Sequence, residues 1–397
     1  MTQDRYLAIH NLSLLQRQAG VEPDVAELVK SFGQLLVDSG KELEFDRLPF
    51  TEGSPEQQRF LFLQNKNPDV DSRFLAMLAA YSERMAERGY APVVSRENLA
   101  ELLGYDLQHL LSIAAKNSRF YRAIELRRKN GSFRRVYSPR EPIRSIQSWI
   151  LKNILNAYRP HEAAHGFCRN RSIVSNAAQH AGNSVLIALD IADFFPSITQ
   201  QKVRKAFEKL GYTYSVAMVL ANLCTRSGFL PQGAPTSPAL SNLVCENLDR
   251  RLSGLARSRG FTYSRYADDM AFSSNDGRLN TLIPFLREII QQEGFQVRPE
   301  KTRISRGSGR MMVTGVVVND RPNLPRSHVR KLRAAVHRLK QNGPEAVILE
   351  SRRTKDADVR NVLAGHLGFL AMVNPAGGKR LALALRSEKT SSTLESG

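Results

Sequence analysis

A four-residue bend, Tyr266-Ala267-Asp268-Asp269, constrains this chain more than any other stretch. Phe261-Thr262-Tyr263-Ser264-Arg265 leads in and Met270-Ala271-Phe272 leads out. Both runs are aromatic or β-prone, so the segment is expected to be a hairpin with adjacent carboxylates at its tip. Neighbouring carboxylates on a rigid turn repel each other, and a bound cation removes that cost. Mg²⁺ suits the position, because hard divalent ions prefer carboxylate oxygen and leave room for phosphate. Asp-Asp also occurs as plain turn chemistry, so the pair gains meaning only from what accompanies it.

A third carboxylate does. The apolar run Val185-Leu186-Ile187-Ala188-Leu189 reads as a buried strand ending at Asp190. Nucleotidyl transfer uses two metal ions about 4 Å apart, one activating the attacking hydroxyl and one stabilising the leaving pyrophosphate. A strand-end carboxylate beside a hairpin bearing two more could hold them. Catalysis is then positioning and electrostatics, without a covalent intermediate.

Charge narrows the partner. Residues 1–95 hold ten Lys/Arg against fourteen Asp/Glu, whereas residues 96–397 hold 47 against 24. A net +19 concentrated in this way suits a polyanion, and nucleic acid before a membrane surface, since no basic amphipathic anchor helix is evident. No apolar run approaches the ~18–20 residues of a membrane span, and the N-terminus lacks the basic and apolar regions of a signal peptide. Cys168, Cys224 and Cys245 fit neither a zinc ribbon nor a disulfide framework, so a cytoplasmic chain with reduced thiols is expected.

Four segments are expected: a separate helical N-terminal extension over 1–94, a catalytic body over 95–319, a basic helical region over 320–386 and a disordered tail over 387–397. In the extension, helices are expected from Pro23 to near Gly40 and from Arg73 to Arg88. A hairpin centred on Asn130-Gly131 follows, then a helix at about 143–158 with Ile146, Ile150, Leu151 and Ile154 on one face. Thr236-Ser237-Pro238 opens a helix carrying Leu240, Leu243, Val244, Leu248 and Leu252. Beyond the Asp-Asp hairpin come a helix at 279–292 and strands near 295–304 and 311–318. Arg321 to Lys355 holds ten Lys/Arg and two Glu, with a helix from Ser327 to Gln341.

Three ordered motifs resemble the palm of reverse transcriptases. They are Asp190-Ile191-Ala192-Asp193-Phe194-Phe195-Pro196-Ser197-Ile198, Pro231-Gln232-Gly233-Ala234-Pro235-Thr236-Ser237-Pro238 and the Tyr-Ala-Asp-Asp hairpin. The resemblance implies an α+β right-hand polymerase: fingers, a palm with an antiparallel sheet and a helical thumb, behind the N-terminal helical extension. It implies catalysis by Asp190, Asp268 and Asp269, which with Ile191 hold two Mg²⁺, and deoxynucleoside triphosphates as substrates. Arg128 and Arg134 would hold the triphosphate, as paired guanidinium hydrogen bonds suit phosphate; the family usually has Lys at the first position. Asp193, Phe194 and Phe195 are assigned to the nucleotide, Phe195 as the ring that clashes with a ribose 2′-hydroxyl. Gln232 and Gly233 would lie against the nascent base pair, and Lys301 near the leaving phosphate.

Two shorter signatures resemble retron enzymes: Asn176-Ala177-Ala178-Gln179-His180, and Val313-Thr314-Gly315. They assign Asn176, His180, Val313, Thr314 and Gly315 to RNA binding, with Arg330, Lys331 and Arg333 on the basic helix. The resemblance covers about residues 95–375. It implies a structured noncoding RNA as partner, synthesis primed by the 2′-hydroxyl of an internal guanosine, and a branched RNA–DNA product. It further implies antiphage defence with an effector protein; the extension could dock that effector, the RNA or a second copy of the chain. His161-Glu162-Ala163-Ala164-His165 also fits the H-E-x-x-H zinc pattern, but Pro160 and Gly166 leave too little helix for it.

Overall fold

The computed structural model of the chain describes residues 72–127, 131, 133–343 and 356–386. The helix expected at 23–40 and the tail from 387 lie outside these. The chain forms two units, Met1–Pro160 with Asp193–Glu246 and His161–Ala192 with Asn247–Gly397.

In the first unit, helix Ser72–Glu87 buries Leu78, Tyr81 and Met85, spaced to share one face. Tyr81 Oη donates to the Val93 carbonyl at 3.1 Å. The Ala91 amide donates to the Asn153 carbonyl at 2.9 Å, and Tyr212 Oη donates to the Ala91 carbonyl at 2.9 Å. Leu78, Tyr81, Met85, Val93 and Val94 are thus buried in this unit. The segment after the helix is tied to residues about 60 and 120 positions further along the chain.

Strands β1 (Tyr121–Arg127) and β2 (Phe133–Pro139) form the expected hairpin, paired from Tyr121↔Pro139 to Arg127↔Phe133. Helix Ile143–Asn153 buries Ile143, Ile146, Gln147 and Ile150. Gln147 Nε2 donates to Tyr121 Oη at 2.7 Å and to the Leu223 carbonyl at 2.8 Å, tying the hairpin base to helix Tyr214–Cys224. The leucine stripe expected as one helix after Pro238 is two, Ser237–Val244 and Glu246–Arg259.

The second unit is built on an antiparallel sheet of order β4-β5-β3-β6: β3 Val185–Asp190, β4 Thr262–Tyr266, β5 Asp269–Ser274 and β6 Arg303–Arg306. The strand expected at 295–304 is confined to β6. Pro299, which lacks a ladder donor, opens a 3₁₀ turn over Pro299–Lys301 instead. Likewise Pro284 starts helix Ile283–Gln292 after a 3₁₀ segment over Gly277–Leu282. The stretch at 311–318 is a second hairpin, β7 (Met312–Val313) and β8 (Val316–Val317), whose turn residues Thr314 and Gly315 have φ of 48° and 83°.

Helix Arg326–Asn342 turns Leu332, Val336 and Leu339 inward, a 3.6-residue stripe. They share one core with Leu186 and Ala271 of the sheet, Val313 and Val316, and Leu363, Leu367 and Leu370 of helix Asp356–Val373. The basic region and the sheet thus share one hydrophobic core. Helix Pro375–Arg386 follows. Among the described residues no helix is long and apolar enough to cross a membrane.

One face of the sheet rests on a buried polar cluster. His180 Nδ1 pairs with Ser273 Oγ and Nε2 with Ser264 Oγ, each at 2.7 Å, and Ser264 Oγ donates to Asn176 Oδ1 at 2.7 Å. Burial, reinforced by nearby His165, pushes the His180 imidazole down to about 3. Burial and Arg171 push His165 down to about 4. An unfolded histidine titrates near pH 6.5, so below that pH the unfolded chain binds protons that the folded chain refuses. Stability is therefore expected to be full above pH 6.5 and to fall by up to about 1.4 kcal/mol per pH unit for each such group on acidification. Melting temperatures recorded between about pH 7.5 and 5 check this, and a flat profile would contradict it.

Candidate active site

Strand register brings the carboxylates together. Asp190 ends β3 and pairs directly with Asp269, the first residue of β5. Tyr266 also pairs with Asp269, leaving Ala267-Asp268 as a two-residue hairpin loop. Ala267 sits at φ 57°, in the left-handed region. The Ile191 amide donates to the Asp268 carbonyl at 3.0 Å, fixing the loop to the end of β3. Gly166 lies against this bend: a Cβ there would stand 2.6 Å from the Ala267 nitrogen, so only glycine permits the approach.

Side-chain electrostatics mark the same place. Asp190 is 8% exposed, with Lys301 Nζ 2.5 Å from Oδ2 and Arg298 Nε 3.7 Å from Oδ1. That Oδ1 is buried and accepts no hydrogen bond among the described residues. Burial, then Asp268 and Asp190, push the Asp269 carboxyl up to about 6, against the pull of Lys301 and Arg303. Among the described residues no three Asp, Glu, His or Cys side chains already stand in metal-ligand arrangement, since Asp190 is turned to Lys301. The donor set nevertheless suits a hard divalent cation: all-oxygen ligands, one of them without a hydrogen bond, in a field that resists ionisation. A cavity of about 730 Å³ opens beside them, with Lys301, Arg303 and Arg310 on its wall.

The other expected residues are distributed as follows. On the first unit, Arg134 Nε donates to Gln232 Oε1 at 2.5 Å, and the Tyr137 amide donates to the Gln232 carbonyl at 2.7 Å. Gly233 has φ 111°, and a Cβ there would lie 2.6 Å from Val136 Cγ1, so glycine is required where β2 crosses this loop. Asp193 is exposed with φ 43°, and Phe195 is half-buried. Phe194 is 4% exposed and edge-on to Phe195 at 5.4 Å. Arg128 lies outside the described residues.

On the second unit, His180, Asn176 and Val313 are buried at 0%, 1% and 4% exposure. Asn176, in helix Ile173–Ala178, and His180, just beyond it, turn toward Ser264 and Ser273 of the sheet, and Val313 of β7 faces the core. Thr314 and Gly315 occupy the β7–β8 turn, and Arg330, Lys331 and Arg333 are exposed on their helix. His161–His165 is a turn rather than a helix. Arg298 escaped the sequence reading, and so did the packing of Gly166 against this bend, which no local pattern announces.

The comparisons agree with the geometry. A family model described as reverse transcriptase (RNA-dependent DNA polymerase) matches residues 126–339. The chain is 34% identical over 350 residues to the retron Mx162 reverse transcriptase of Myxococcus xanthus, covering 78% of this chain and 70% of that protein. It is 35% identical over 335 residues to the retron Mx65 reverse transcriptase of the same organism, covering 78% and 76%. Identity to the retron Ec86 reverse transcriptase of Escherichia coli is 36% over 235 residues, covering 59% and 73%.

Because the carboxyl of Asp269 is raised in the folded chain, its stabilising contribution is complete below pH 3.8 and is lost as pH rises through about 6. At pH 7.5 without metal, Asp269→Asn should raise the melting temperature by about 1–2 °C, or about 1 kcal/mol once solvent screening is allowed for. Added divalent cation should raise the melting temperature of the parent chain and barely move that of the variant, as thermal melts with and without metal would show.

Proposed function

This chain belongs to the retron-type reverse transcriptases and is an RNA-directed DNA polymerase, and from that premise we propose how it acts. Enzymes of this kind take deoxynucleoside triphosphates and need divalent metal; the ion here is Mg²⁺. The chain copies part of its own structured noncoding RNA, starting from the 2′-hydroxyl of an internal guanosine, and leaves a branched RNA–DNA molecule. The observation that carries the chemistry is the pairing of Asp190 with Asp269 across β3 and β5, with Asp268 in the loop beside them. The Asn176-to-His180 and Val313-Thr314-Gly315 motifs support the choice of RNA and primer. A role in antiphage defence beside an effector protein follows from the same resemblance.

Asp190, Asp268 and Asp269 would hold two Mg²⁺, which when bound supply the charge that activates a hydroxyl and stabilises pyrophosphate. The protein's own part is placement. Lys301, which rests on Asp190, would meet a leaving phosphate with its ammonium. The ammonium and carboxylate neutralise one another until substrate charge arrives. Arg134 presents a guanidinium fork suited to a triphosphate, and its bond to Gln232 fixes both side chains before a nucleotide enters. Phe195 excludes a 2′-hydroxyl by its bulk. Arg330, Lys331 and Arg333 contact RNA phosphates, so affinity should fall as salt rises.

The test is expression of the gene with several hundred flanking base pairs, followed by analysis of total nucleic acid before and after RNase and debranching enzyme. A discrete DNA whose mobility changes on debranching, and which disappears in Asp268→Ala, is expected. Asp268→Ala should still bind the RNA. Linear products that depend on Asp268 would overturn the 2′-priming, and normal synthesis by Asp268→Ala would overturn the catalytic assignment.

A further inference from the structure

One ion pair of the second unit is wholly enclosed: the side chains of Arg265 and Asp249 are each 0% exposed. Arg265 Nε donates to Asp249 Oδ1 at 2.8 Å and Nη2 donates to Oδ2 at 2.6 Å, a bidentate fork. Tyr263 Oη donates to the same Oδ1 at 2.8 Å. The remaining guanidinium nitrogen does not face solvent. Nη1 donates to the carbonyl of Ala267, the first loop residue of the Asp268-Asp269 hairpin, at 3.1 Å.

We propose that Arg265, oriented by Asp249 and Tyr263, is a positioning residue that sets where Asp268 and Asp269 point. The proposal rests on reading this hairpin as the catalytic turn. Stability alone is a poor account of the pair, because well-packed apolar side chains commonly replace a buried ion pair at no loss. The hairpin, by contrast, has need of a clamp. Ala267 carries a Cβ at φ 57°, a conformation that L-residues hold only when their surroundings impose it. Its loop also bears repelling carboxylates, a force that would open a tip left to itself. Contacts hold that tip from several sides: the Nη1 bond on the Ala267 carbonyl, the Gly166 backbone against the Ala267 nitrogen, and the Ile191 amide on the Asp268 carbonyl.

The strand leading to the tip is pinned in the same way. The Arg265 amide donates to the Ala163 carbonyl, and the Arg265 carbonyl accepts from the His165 amide, both at 2.7 Å. Arg265 is thus fixed in its main chain by residues 163–165 and in its side chain by Asp249, while one donor is committed to the loop. Lysine cannot reproduce this geometry, because a single ammonium has no planar fork and cannot span Asp249 and the Ala267 carbonyl together.

The experiment uses the purified full chain with poly(rA)/oligo(dT) and dTTP, and records kcat, KM for dTTP, the Mg²⁺ concentration for half-activation and the melting temperature. Displacement of a reacting group by about an ångström costs on the order of 100-fold in rate. Arg265→Lys should therefore lower kcat by about 10–100-fold, leave KM for dTTP within about 3-fold and raise the half-activating Mg²⁺ several-fold. Leu286→Ala, which empties a fully buried site in helix Ile283–Gln292, serves as the control for destabilisation. It should lower the melting temperature while kcat of the folded protein stays within about 2-fold. Tyr263→Phe removes one bond from Asp249, keeps the ring and should show the same pattern at about 2–5-fold; it decides the matter if Arg265→Lys does not fold. An unchanged kcat and Mg²⁺ requirement in whichever of these two variants folds overturns the proposal. Asp268→Ala in the same assay separates the two readings: if it remains active, the hairpin is not catalytic and the functional assignment itself fails.

Discussion

Two carboxylates held face to face across neighbouring strands are an unfavourable arrangement, and the second unit is organised around tolerating it. Asp190 and Asp269 are directly paired in the ladder, so neither can turn away without breaking the register of the sheet. The surroundings answer with cations: Lys301 and Arg298 on Asp190, and Lys301 and Arg303 lowering the load on Asp269. The repulsion at this edge is a cost to the fold, and those cations offset it.

Below that edge, polar groups are buried with their partners. His180 is satisfied at both ring nitrogens by serines from two adjacent strands, β4 and β5. It therefore reports their register as well as holding it: a slip of one residue would turn both hydroxyls to the opposite face. Arg265 and Asp249 follow the same rule with full charges. Such groups favour one arrangement over its neighbours, because any other leaves a donor or charge unpaired in the interior.

Local pattern made much of this legible. The Tyr-Ala-Asp-Asp hairpin, the apolar run ending at Asp190 and the paired strands β1 and β2 carry their signals within ten residues, and each is where periodicity and turn chemistry place it. Prolines accounted for smaller departures, at Pro299 and Pro284. What escaped depends on contacts distant in sequence. Nothing near Tyr81 announces Tyr212 or Asn153, so residues 78–94 looked detached. Phe194 and Phe195 are indistinguishable in sequence, yet one is core and the other half-buried. The Asn176 and His180 motif was recognisable as a pattern, but its inward orientation follows from Ser264 and Ser273, some ninety positions later.

The order of strands has a consequence during synthesis on the ribosome. β3 emerges early, yet the partners flanking it, β5 and β6, begin at Asp269 and Arg303. Asp190 must wait about eighty residues for the carboxylate it faces and about thirty more for the ammonium that quiets it. Until then a buried-type strand with two open edges is exposed, a state prone to mispairing. The nascent chain carries Asp190 well before it can pair it, so this edge of the sheet stays unassembled until Lys301 has emerged.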